Sequence, residues 1–174
     1  MDRRKFLAFT VATTVMAPWR PAAALGETSR ALAFRNLHTE DTLRLVYWRD
    51  GGYVAAALQQ IARVLRDHRN GEEHAIEPAL LELLHDLRER LDTDAPFEVI
   101  SGYRSPASNA QMKAQGRGVA SNSLHTEGKA IDVRVPGRRL ESVRDAAYAL
   151  ARGGVGYYPQ DGFVHVDVGR VRRW

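Results

Sequence analysis

His125, Asp132 and His165 are the residues of this chain whose types and spacing could do chemistry. Two imidazole nitrogens and one carboxylate oxygen suit zinc, and three protein ligands leave a fourth tetrahedral position open for water, the mark of a catalytic site. The residues sit in Ser123-Leu124-His125-Thr126-Glu127-Gly128-Lys129-Ala130-Ile131-Asp132 and in Phe163-Val164-His165-Val166-Asp167. Gly128 and Ala130 are small enough to let the chain turn and pack beneath a metal. A lone histidine is more often a surface or hydrogen-bonded core residue, and an aspartate often caps a turn. Asp132, however, lies between Ile131 and Val133, and a carboxylate buried in an apolar strand needs a partner cation.

The elements that must bring these side chains together show in the periodicity. Residues 31–34 and 43–48 read as strands joined by a polar turn, with Asp50-Gly51-Gly52 closing the second. Apolar positions at helical spacing predict helices over 54–68 and 78–91, the latter opening on Pro78. A strand over 97–101 leads through Gly102-Tyr103-Arg104-Ser105 into a short helix over 106–115. Strands over 130–135, 155–158 and 163–168 surround a last helix over 140–151. The result is one α+β domain, a mostly antiparallel sheet with flanking helices. If the strands at 130–135 and 163–168 are neighbours, Asp132 and His165 meet on one face.

With 174 residues, the chain has room for one domain with a real core. Its formal charge of +4 is misleading, because four of the 25 basic residues and one of the 21 acidic ones lie in the first 24 positions. The remainder is close to neutral, which gives nucleic-acid binding no electrostatic support. Asp2-Arg3-Arg4-Lys5-Phe6-Leu7, an apolar run over 7–17 and Ala22-Ala23-Ala24 read as a twin-arginine signal peptide over 1–24. Residues 25–174 are then the mature domain, exported to the periplasm. The apolar run is short against the roughly 20 residues needed to span a bilayer, so no stable membrane span is expected once the signal is removed. The absence of cysteine excludes disulfides, thiolate metal sites and a cysteine nucleophile.

Ser101-Gly102-Tyr103-Arg104-Ser105, Ser123-x-His125-x-x-Gly128-x-Ala130-x-Asp132, Gly154-Val155-Gly156-Tyr157-Tyr158 and Phe163-Val164-His165-Val166-Asp167 together resemble the YcbK-like murein endopeptidases. These belong to the D-alanyl-D-alanine carboxypeptidase and hedgehog-like metallopeptidase superfamily. The resemblance extends from about Leu32 to Trp174 and includes the Arg170-Val171-Arg172-Arg173-Trp174 end. It implies a hedgehog-like fold, a Zn2+ cofactor held by His125, Asp132 and His165, and hydrolysis of peptide cross-links with peptidoglycan stem peptides as the partner. The competing readings are a D-alanyl-D-alanine carboxypeptidase and a catalytically inactive, zinc-containing peptidoglycan-binding domain.

Arg104 follows a strand and turn and precedes a helix, a placement that can aim a guanidinium into a cleft. The resemblance implies that it faces substrate, binding a peptide carboxylate or the developing oxyanion; the alternative is a surface ion pair. Ser123 either contacts substrate or shapes its loop, and Tyr157 either lines the cleft or packs in its strand, as does Tyr158. The general base is the open question. Superfamily carboxypeptidases place a glutamate three residues before the last histidine ligand and other members a histidine two before, where this chain has Gly162 and Phe163. Asp167, two residues after His165 on the same strand face, is the strongest local candidate, with orientation of a ligand as its competing role. Asp161, Glu127 and His38 are further possibilities, while His68, His74 and His85 fit surface, loop or capping roles.

Overall fold

Phe97-Glu98-Val99-Ile100-Ser101 alternates between buried and half-buried side chains, the signature of a strand that shows its two faces to different surroundings. The computed structural model describes residues 29–116 and 118–174; the expected signal peptide lies outside them. In chain order the elements are β1 (Ser29–Asn36), β2 (Thr42–Arg49), β3 (Gly52–Tyr53), α1 (Ala55–Val64), α2 (Pro78–Arg90), β4 (Phe97–Ser101) and α3 (Pro106–Ala114). A 3-10 turn (Leu124–Glu127), β5 (Ala130–Arg134), α4 (Leu140–Leu150), β6 (Gly154–Tyr158), β7 (Phe163–Asp167) and β8 (Arg172–Arg173) follow.

All the described strands join one sheet in the order β3-β2-β1-β4-β5-β7-β6-β8. Its pairings are antiparallel except β1 with β4 and β6 with β8. The parallel β1–β4 pair requires a long crossover, and α1 and α2 lie within it. Pro78 opens α2, where its missing N–H costs nothing. Leu80, Leu84 and Leu87 then form a buried stripe at helical spacing. Helices α2 and α4 touch each other and pack against β1 and against β6 and β7. Their apolar faces share one core with Leu32, Phe34, Val99, Val133, Val164 and Val166 of the strands.

The single α+β domain with a mostly antiparallel sheet agrees with the sequence reading. Helix α1 does not: it stops at Val64 instead of continuing to 68. The Leu65 carbonyl accepts the Tyr103 N–H at 2.7 Å and is therefore turned away from any further helical turn. Two strands, β3 and β8, were not expected; at two residues each they are too short to leave a periodic signal.

Candidate metal centre and its cleft

Strand register sets the site. Ser101 of β4 pairs with Asp132 of β5, Asp132 with His165 of β7, and His165 with Gly156 of β6. Directly paired residues share a face, so these four form a row across the sheet. Ile131, Val133, Val164 and Val166, which flank the row, are fully buried on the other face.

His125 reaches this row from the 3-10 turn, which ends at Gly128 with φ 65°. A side chain at Gly128 would place its Cβ 2.2 Å from the Ala75 carbonyl oxygen. Nδ1 of His125 lies 2.7 Å from the Gly102 carbonyl, which can only accept, so Nδ1 carries the proton and Nε2 keeps its lone pair free. Gly102 is itself confined, since a Cβ there would sit 2.5 Å from the Leu65 carbonyl oxygen. On His165 the roles are exchanged: Nε2 donates to Asp167 Oδ2 at 3.0 Å, and Nδ1 faces the cluster.

The three inward atoms converge. His165 Nδ1 is 2.8 Å from Asp132 Oδ1, His125 Nε2 is 3.3 Å from the same oxygen, and the two nitrogens are 3.2 Å apart. Ligand atoms about 2.0–2.1 Å from a tetrahedral zinc stand about 3.3 Å from one another. Two neutral imidazoles, each with its outer N–H tethered, and one carboxylate therefore fit a zinc ion in chemistry and in spacing. Burial pushes the Asp132 carboxyl up, but the closeness of His125 and His165 outweighs it and holds it well below the usual range. Burial also pushes His165 down, and its contacts with Asp132 and Asp167 more than compensate, leaving it raised.

Asp167 is placed differently from the expectation that it accepts a proton from water. It is fully buried, and its Oδ1 accepts the Gly154 and Gly169 N–H groups at 3.0 and 2.8 Å. Arg172 binds both oxygens, Nη2 to Oδ2 at 2.7 Å and Nη1 to Oδ1 at 3.1 Å. Burial raises its carboxyl, but these donors and His165 hold it well below the ordinary carboxylate range. Its remaining contact is with the outer nitrogen of His165, away from the cluster. The same-face spacing is correct, but these donors occupy both carboxylate oxygens and the contact with His165 is at its outer nitrogen, an arrangement that suits orientation of the imidazole.

A cleft of about 670 Å³ opens over the cluster, and its walls include Arg104, Ser123, Tyr158, Asp161, Phe163 and Trp174. Arg104 is no surface arginine. It is 6% exposed, and its backbone N–H donates to the His125 carbonyl at 3.1 Å. Nη1 and Nη2 make only long contacts with neutral oxygens of Asn109 and Ser101, at 3.3 and 3.5 Å, and Nε has no partner. Burial lowers its pKa, partly offset by the negative charge of Asp132. Ser123 lies buried in the wall, as a substrate contact or a loop former would.

Tyr157, expected as a substrate contact, is not in this cleft. It pairs with Val164, on the face opposite His165, and its hydroxyl donates to Glu141 of α4 at 2.8 Å. Tyr158, one residue on, takes the place in the wall, because alternate strand residues change face. Asp161 also lines the cleft, in the β6–β7 turn, and makes no ion pair or hydrogen bond among the described residues. His38 lies farther along the wall, stacked on His68 at 3.8 Å. Glu127 is instead an exposed partner of Lys129 at 2.7 Å. Sequence reasoning missed the Gly102 carbonyl, Arg172 and Trp174. Only the composition of the Arg170–Trp174 end hinted at the last two, since their use depends on β8 folding beside β6.

A family model described as Peptidase_M15_2, peptidoglycan L,D-endopeptidase MepK, matches residues 24–174. Peptidoglycan L,D-endopeptidase MepK of Escherichia coli K12 is 39% identical over 176 residues, covering 99% of this chain and 97% of that protein. The probable peptidoglycan L,D-endopeptidase MepK of Haemophilus influenzae is 42% identical over 146 residues, covering 83% and 78%. The solved L-Ala D-Glu endopeptidase ChiX of Serratia marcescens aligns with 55% of this chain and 69% of that one at 21% identity and a TM-score of 0.37, too distant to support an argument about fold. With a family model matching residues 24–174 and a relative 39% identical over nearly the whole chain, the chain belongs to the Peptidase_M15_2 family.

Proposed function

We propose that this chain is an exported, zinc-dependent murein endopeptidase that hydrolyses L,D peptide cross-links of peptidoglycan. The observation that carries the reading is the convergence of His125 Nε2, Asp132 Oδ1 and His165 Nδ1 beneath an open cleft, in a chain of this family. Bound zinc would supply Lewis acidity there, polarising a carbonyl and letting water ionise near neutral pH. The choice of L,D linkages follows the names of the relatives. Export and a periplasmic location rest on the sequence of residues 1–24; among the described helices none is long and apolar enough to cross a membrane.

The chain's own residues divide the work. The Gly102 carbonyl and Asp167 tether the outer nitrogens of the two histidines, so that the inner ones face the cluster. Arg104, buried yet without an acidic partner among the described residues, holds a substrate carboxylate or the carbonyl oxygen as it gains charge. Asp161 is the cleft carboxylate left to accept a proton at its Oδ atoms and return it to the leaving amine.

Incubating the protein, as residues 25–174, with L,D-cross-linked muropeptide dimers tests the proposal. Dimers should be converted to monomers, a chelator should stop the reaction and zinc should restore it. Release of terminal D-alanine alone would make the protein a carboxypeptidase. No turnover by metal-loaded protein would leave only the binding-domain reading.

A further inference from the structure

We infer that Trp174 is a specificity-determining residue, an indole wall over which an aliphatic stretch of the stem peptide lies as the scissile bond enters the site. The inference rests on the endopeptidase reading and names a subsite within it.

The indole occupies a particular place in the row across the sheet. Gly156 is the β6 partner of His165, and a Cβ on it would lie 2.7–2.8 Å from three indole atoms. The space that a side chain would fill is thus filled by the Trp174 ring. The ring centroid stands 5.2 Å from that of the ligand His165, at a tilt of 49°. Backbone pairing fixes the residue, with Trp174 N–H donating to Val155 O at 3.2 Å and Tyr157 N–H donating to Trp174 O at 3.0 Å. Arg172 places its guanidinium 4.8 Å from the ring centroid while binding Asp167. The indole Nε1–H donates to the Tyr158 hydroxyl at 2.7 Å.

A large aromatic residue fixed at this many points is nevertheless 47% exposed, and it lines the cleft. Its only hydrogen-bond donor is already committed, so what it offers a ligand is π-surface. Such a surface favours C–H groups of an aliphatic chain packed against the ring, and offers no hydrogen bond to a polar side chain. Because the wall adjoins a metal ligand, the contact falls next to the bond to be broken. Arg104, across the row beside Ser101, supplies the charged contact, and Trp174 the apolar one.

The test compares the unaltered protein with Trp174→Ala, Trp174→Phe and Gly156→Ala. For each, KM and kcat on cross-linked muropeptide dimers are measured alongside zinc affinity, the unfolding midpoint, and calorimetric binding of the same dimers to metal-stripped protein. Trp174→Ala should raise KM and weaken binding to the stripped protein by about tenfold, with kcat and zinc affinity little changed. Trp174→Phe should recover part of the loss, and Gly156→Ala, by displacing the ring, should reproduce it. Unchanged KM and binding in Trp174→Ala would overturn the inference, and so would a loss confined to zinc affinity, which would make the indole a prop for His165. If the unaltered protein binds dimers but does not cut them, the endopeptidase reading fails while the binding comparison still decides this one.

Discussion

At the scale of the residue, the proposed site separates groups that would hold a metal from groups that would position those ligands. Asp167 belongs to the second kind, and replacing it tests that placement. Asp167→Asn should lower zinc affinity by about 10–100-fold, because the tether that fixes the His165 tautomer is weakened; a competition titration against a chelator measures this. A base would behave differently. Asp161→Asn should leave zinc affinity intact and reduce kcat by roughly 10²–10⁴; if kcat is unchanged and His38→Ala abolishes it, the proton moves through His38. The cluster of His125, Asp132 and His165 was legible in the sequence because donor chemistry and strand alternation both act locally. The place of Asp161 in the cleft was not, since it sits in a turn, where no periodicity says which way a side chain points. Which of Tyr157 and Tyr158 faces the cleft was open for a related reason: the face depends on which β6 residue pairs with His165, and that residue is Gly156.

At the scale of the element, the Gly102–Ser105 segment has the greatest demands on it. Gly102 O receives His125, Tyr103 N–H is held by Leu65 O, and Ser105 N–H donates to Asp67 Oδ2 at 2.9 Å. Asp67 is fully buried, and its Oδ1 also accepts the Arg69 N–H at 3.0 Å. Burial raises this carboxyl, but its contacts with Ser108, Arg69 and Ser105 win and lower it from 3.8 to about 2. A depressed acid contributes stability above its unfolded value and loses it as pH falls through the folded one. The difference in unfolding midpoint between the unaltered protein and Asp67→Asn should therefore be full above pH 3.8 and shrink as the pH drops to about 2. Urea unfolding at a series of pH values checks the window. A gap that stays constant would show that Asp67 acts through shape alone. This clamp also explains why α1 looked longer in the sequence. Its apolar spacing continues past Val64, but Leu65 is committed to a segment nearly forty positions away, and helical periodicity carries no sign of such a partner.

At the scale of the whole molecule, the sheet carries its core on one face and its chemistry on the other. Fold class and most elements could be read from the alternation of apolar residues, since Ile131 and Val133 of β5 and Val164 and Val166 of β7 recur at a period of two. The strand order could not, because a parallel β1–β4 contact and a β8 of two residues depend on where distant segments find room. The direct pairing of Asp132 with His165 across β5 and β7 also has a kinetic consequence. His125 and Asp132 are near neighbours in the chain, but the third ligand lies 33 residues beyond Asp132 and reaches it only when the central strands have zipped together. An unfolded chain thus offers zinc no complete chelate, and the ion should bind after the folding barrier has been crossed. In stopped-flow experiments, saturating zinc should slow the unfolding arm of the chevron and leave the refolding arm almost unchanged. An accelerated refolding arm would mean instead that the ion templates the sheet.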